Sequence, residues 1–68
     1  MNRLVVPEGI GPWSYRRFTD EHGAREFFRR LPPDNPPPIQ LEEPSEAPDD
    51  ETVLEAGTWV VFYQPIQN

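Results

Sequence analysis

Seven carboxylates, Glu42, Glu43, Glu46, Asp49, Asp50, Glu51 and Glu55, fall within fourteen consecutive residues that hold no base. Fully extended, such a stretch reaches at most about 50 Å, which puts its charges up to about 7 Å apart. Folded back on itself it approaches the linear charge density of a nucleic-acid backbone, about one charge per 3.4 Å of each strand. A surface of that kind can occupy a basic groove that would otherwise hold DNA. The plainer expectation for the same residues is a solvated acidic loop that keeps a small protein dispersed.

The opposite chemistry sits earlier in the chain. Arg16, Arg17, Arg25, Arg29 and Arg30 lie near Trp13 and Tyr15. Basic side chains beside stacking aromatics are the ingredients of single-strand nucleic-acid binding, so Trp13, Tyr15, Arg16, Arg17, Arg25 and Arg29 form an alternative nucleic-acid face. The competing expectation is that these arginines solvate the outer helix face and pair with the acidic stretch. Each exposed pair would contribute only about 0–1 kcal/mol.

Nothing else in the sequence carries recognisable chemistry. His22 is the only histidine and has no partner at catalytic spacing. One His without Cys builds no known metal site, so no metal and no cofactor are expected. Gly9-x-Gly11 lacks the remainder of a phosphate loop, and Gly11-Pro12 reads as a turn. Pro36-Pro37-Pro38 could dock in a proline-reading groove; a stiff spacer is the simpler reading. No catalytic motif is present and the chain is read as a binding protein, not an enzyme.

Charge and aromatics are segregated. Residues 1–31 hold all six Arg and four acids, a net +2, whereas 32–68 hold eight acids and no base, a net −8. The chain of 68 residues carries −6 overall, which should repel nucleic acid and anionic membranes and attract basic proteins. Its length allows one domain of marginal stability. The lack of Cys removes the disulfide staple and agrees with a reducing compartment. No apolar run is long enough for a transmembrane helix or a signal-peptide core, so a cytoplasmic location is expected.

The elements that would hold these groups follow from spacing. Ala24, Phe27, Phe28 and Leu31 make one apolar stripe and predict a helix over about 20–31. Thr19 or Asp20 would cap it, and Pro32-Pro33 would end it. Gly23 within it would permit close packing on a neighbour. Thr58-Trp59-Val60-Val61-Phe62-Tyr63 is β-branched and aromatic throughout, apolar on both faces, and predicts a central strand. Thr52-Val53-Leu54 would pair back onto it across Glu55-Ala56-Gly57, with Gly57 left-handed; a short helix over Asp49–Ala56 is the competing reading. Trp13–Phe18 predicts another strand, paired with Leu4-Val5-Val6. Residues 32–51 read as a long Pro-rich acidic loop, with Ile39 and Leu41 pinning it across the sheet. Trp13 and Trp59 are expected to supply core area.

The fold class expected is α+β: one domain over 1–68, a small antiparallel sheet with one helix packed on one face. Residues 1–31 would form strand–turn–strand–helix, 32–51 the loop, and 52–68 a hairpin with the C-terminal strand.

A small, strongly acidic domain without Cys or catalytic residues resembles the small phage-encoded inhibitors of host defence, the anti-CRISPR proteins and other DNA mimics. The resemblance rests on size, charge and composition. It implies a monomer in the host bacterial cytoplasm that blocks DNA binding by a basic, nucleic-acid-binding host protein or complex. The acidic surface from Glu42 to Glu55, extended to Glu8 and Asp34, would make the contact, with no direct binding of nucleic acid or membrane. A nucleic-acid-binding module and a small structural or accessory phage protein are the alternatives.

Overall fold

The computed structural model describes residues 2–8, 12–48 and 51–65. Along the chain run β1 (Asn2–Arg3), β2 (Ser14–Phe18), α1 (Glu21–Phe28), β3 (Ile39–Gln40), β4 (Ser45–Glu46), β5 (Val53–Leu54) and β6 (Trp59–Tyr63). They form two three-stranded sheets, ordered β2-β6-β3 and β1-β4-β5. With one helix and two small sheets among the described residues the fold is α+β. Every strand pair is antiparallel except β1 with β4, which is parallel.

β6 is central because its sequence leaves it no solvent face. Successive side chains of a strand point to opposite sides. Val60 and Phe62 point toward the small sheet, where they meet Leu4, Leu41, Ala47 and Leu54, with Trp13 and Tyr15 packed against the cluster. On the other side lies α1, whose Phe27 ring sits 5.4 Å from Tyr63, edge-on, and 5.6 Å from Phe18. Val60 and Val61 are fully buried, one toward each layer. Burying a side chain of this kind stabilises by about 1.5–3 kcal/mol, so the strand gains from both layers.

The helix begins and ends where local chemistry dictates. Asp20 has extended backbone and its carboxylate accepts from the Gly23 N–H at 2.8 Å, satisfying one of the free donors at a helix start. A Cβ on Gly23 would lie 3.1 Å from that carboxylate and 3.3 Å from the Phe18 ring, so its absence lets the helix sit close on β2. The helix stops at Phe28, earlier than the predicted Leu31. Arg30 and Leu31 instead donate to the carbonyls three residues back, Phe27 and Phe28, a tightened turn that leads into Pro32-Pro33.

Two expected pairings and one expected loop are corrected. Leu4-Val5-Val6 does not pair with β2. That strand pairs with β6, from Ser14 opposite Tyr63 to Phe18 opposite Trp59. The N-terminus instead joins β4, and the Leu4 N–H donates to the Glu46 carbonyl at 2.9 Å. Residues 53–54 form neither a hairpin with β6 nor a helix; β5 pairs with β4. Residues 32–51 are not one loop, because β3 and β4 lie within them. Of the two expected pins, Leu41 is buried and Ile39 is exposed. One cause underlies all three corrections. The Val60–Phe62 face would stay wet if the chain made only local hairpins, so distant short strands assemble to cover it.

Gly57 does adopt positive φ, 89°, but it turns the chain between sheets, not within a hairpin. Its N–H donates to the Leu41 carbonyl at 2.7 Å. Gly57→Ala is expected to cost about 1 kcal/mol in urea unfolding, from backbone strain alone, since an added Cβ meets nothing within 4 Å. Gly57→Asn should cost less, because Asn tolerates this region better.

Candidate functional site: an acidic ribbon

The acidic stretch is folded back on itself. Ser45 lies opposite Leu54 and Glu46 opposite Val53; the Ala47 N–H donates to the Thr52 carbonyl at 2.9 Å. Ser45 and Leu54 are buried toward β6, so the alternation turns Glu46 and Val53 outward. Glu42, Glu43, Glu51 and Glu55 are exposed and Glu46 is half-buried. Asp49 and Asp50 lie outside the described residues. The base of the ribbon is held by backbone, with the Leu41 N–H donating to the Thr58 carbonyl at 2.9 Å. Along one edge Asn2 donates from its side chain to the Glu43 carboxylate, and Arg3 reaches Glu46 at 4.0 Å.

Folding back changes the charge arithmetic. At the rise of about 3.4 Å per extended residue, each limb of a fourteen-residue hairpin spans at most about 24 Å. The five carboxylates on described residues, Glu42, Glu43, Glu46, Glu51 and Glu55, give about one per 5 Å over that length, closer together than along an extended chain and approaching the spacing of about 3.4 Å along one DNA strand.

The helix arginines do not neutralise the ribbon. Arg25 binds Glu21 at 2.6 Å and Arg29 binds Glu26 at 2.7 Å, both within α1. The Arg16 guanidinium lies over the Phe18 and Phe27 rings, 5.5 and 5.1 Å from their centres. Arg30 makes no ion pair among the described residues. For Arg25, Arg29 and Arg16 the expectation of holding the acidic stretch is therefore corrected. Pairs three and four apart on one helix form locally at little entropic cost, whereas reaching the ribbon would require crossing the sheet.

The residues of the alternative nucleic-acid face are not gathered on one surface. Trp13 and Tyr15 pack against the core on the small-sheet side, Arg16 lies on the helix side, and Arg25 and Arg29 are on the outer helix face. Arg17 lines a groove of about 440 Å³ together with Phe18, Thr19, Val53, Leu54, Glu55 and Thr58. His22 is exposed in the first helical turn. Among the described residues no three His, Asp or Glu side chains are grouped to hold a metal ion, and no helix is long and apolar enough to cross a membrane.

Sequence reasoning missed a second cavity, of about 360 Å³, lined by Glu8, Trp13, Pro32, Asp34, Asn35 and Gln64. Four separate stretches of chain build it, and no spacing in the sequence announces that. Comparison of this chain with protein-family models, curated proteins and solved structures finds no match.

Proposed function

We propose that this protein is a stoichiometric inhibitor that binds a basic, nucleic-acid-handling protein through its acidic ribbon and keeps DNA from the same groove. The observation that carries the reading is the segregation of charge. The ribbon's exposed carboxylates stand apart from Arg25 and Arg29, which pair with Glu21 and Glu26, and from Arg16, which lies over the Phe18 and Phe27 rings. The protein acts by binding, without turnover, in the cytoplasm of a bacterial host, as phage-encoded inhibitors of the anti-CRISPR type do. Attraction between unlike charges makes association fast and salt-sensitive.

The test captures partners from a bacterial lysate on the immobilised protein and challenges the complex with double-stranded DNA. DNA should displace the partner, and the quadruple variant Glu42→Gln, Glu43→Gln, Glu51→Gln, Glu55→Gln should weaken binding about tenfold or more while flattening its salt dependence. A partner retained equally by the variant, or undisturbed by DNA, defeats the reading. A gel shift of single-stranded DNA by the protein itself would favour the nucleic-acid-binding module instead.

A further inference from the structure

The cavity at Trp13 is chemically unlike the ribbon and lies at the other end of β6. Glu42 and Glu55 flank the entry to that strand, beside Thr58, whereas Gln64 follows its exit and Trp13 precedes the β2 residue paired there. The five-residue strand separates them by about 17 Å.

Three features define what the cavity can hold. Glu8 and Asp34 bring two carboxylates to its wall, and neither has an ion pair or hydrogen bond among the described residues. Trp13 brings an indole and Pro32 a flat apolar ring. Asn35, 9% exposed, makes both of its side-chain hydrogen bonds as a donor, from Nδ2 to the Phe62 and Pro36 carbonyls, so its Oδ1 is the acceptor it still presents. Two carboxylates, an amide oxygen and an aromatic face select a planar cation. A guanidinium stacks on an indole while its N–H groups bind carboxylates in a fork; a compact ammonium does the second less well.

A further observation points to a peptide and not to a free cation. The Trp13 Nε1–H is buried and has no hydrogen-bond partner among the described residues. An orphaned buried donor is costly, and no cation can relieve it. A peptide carbonyl is an acceptor of the kind that satisfies it.

We propose that this cavity takes an arginine side chain presented by a segment of a partner protein, with Glu8, Asp34 and Asn35 on the guanidinium and Trp13 stacked against it. The site does not depend on the ribbon and is testable without the partner. The probe is the capped tripeptide acetyl-Gly-Arg-Gly-amide, titrated into the full chain while the indole Nε1–H resonance of Trp13 is followed by NMR. Its analogues carry citrulline, uncharged and nearly isosteric, or lysine.

The arginine peptide should shift the Trp13 resonance saturably, with a dissociation constant on the order of 1 mM. The citrulline peptide should bind at least about tenfold more weakly, as should arginine with the exposed-site double variant Glu8→Gln, Asp34→Asn, a loss of one charge-assisted contact or more. The ribbon variant described above should bind the arginine peptide like the wild type, so failure of one site is read separately from failure of the other. Equal binding of citrulline or lysine, no response at Trp13, or full binding by the double variant whose amide spectrum remains folded would each overturn the assignment.

Discussion

Leu54→Ala is expected to lower stability by about 2–5 kcal/mol, the usual result of truncating a buried leucine whose site cannot collapse. Leu54 is 1% exposed and joins the small sheet to Val60 and Phe62 of β6. Chains of this length have about 3–10 kcal/mol of total stability, so the variant should be largely unfolded or close to it in urea or thermal melts. The effect is large because β5 has only two residues and so short a sheet has no stability of its own. It persists by covering β6. Val53→Ala is the matched control: Val53 is the other residue of the same strand, is 52% exposed, and should change stability by no more than about 0.5 kcal/mol. Equal effects of the two would mean that the small sheet is not packed on β6 and that the two-layer burial of that strand is wrong.

Two-sided burial of β6 also explains which parts of the fold could be read in advance. The helix was legible because its signals are local: a 3–4 spacing of Ala24, Phe27 and Phe28, a capping Asp20, and prolines after it. The central strand was legible because Val60, Val61 and Phe62 are consecutive and apolar, which only a doubly covered strand accommodates. What covers its second face was not legible. β1, β3, β4 and β5 have two residues each, too few to show any period, and β3 and β4 sit among prolines that read as loop. Short connections are common and favour local hairpins; the molecule instead uses long-range pairing, Asn2 with Ser45 across the chain.

The same distinction holds for the site. The carboxylates from Glu42 to Glu55 are conspicuous as composition, and their exposure follows from the outward side of β4 and β5. The fate of the arginines was readable too. Glu21 precedes Arg25 by four residues and Glu26 precedes Arg29 by three, spacings that pair on any helix surface. On that spacing alone Arg25 and Arg29 have partners within the helix and not on the acidic stretch. The Trp13 cavity had no such signal. Its residues, from position 8 to 64, meet only because β2 and β6 are paired with their ends together and the turn after α1 is tied to β6.

That tie is Asn35, and Asn35→Asp tests it with an effect second to that of Leu54. The turn that presents Asn35 is closed by its own N–H, donated to the Pro32 carbonyl at 3.0 Å, with Pro33 at the position of the turn that its fixed φ suits. From there Nδ2 donates to the Phe62 carbonyl at 2.7 Å and the Pro36 carbonyl at 3.1 Å. Replacing the amide by a carboxylate removes both donors and sets a buried negative charge against two carbonyl oxygens in a chain already at −6. The expected loss near neutral pH is about 3 kcal/mol or more. Its pH dependence has a definite sign. Burial and the facing carbonyls favour the protonated form, so the introduced carboxyl titrates above the ordinary aspartate value of about 3.9. The folded state then holds more protons than the unfolded state between the two values, and stability falls as pH rises through that window. The gap in urea midpoint between wild type and variant should therefore be widest near pH 7 and narrow on acidification, when the carboxyl O–H can again donate to Phe62. Asn35→Leu, which removes the donors without adding charge, should lose about 1–3 kcal/mol with a gap that does not change with pH. If the two variants behave alike at every pH, the Asn35 amide is not what ties the turn to β6.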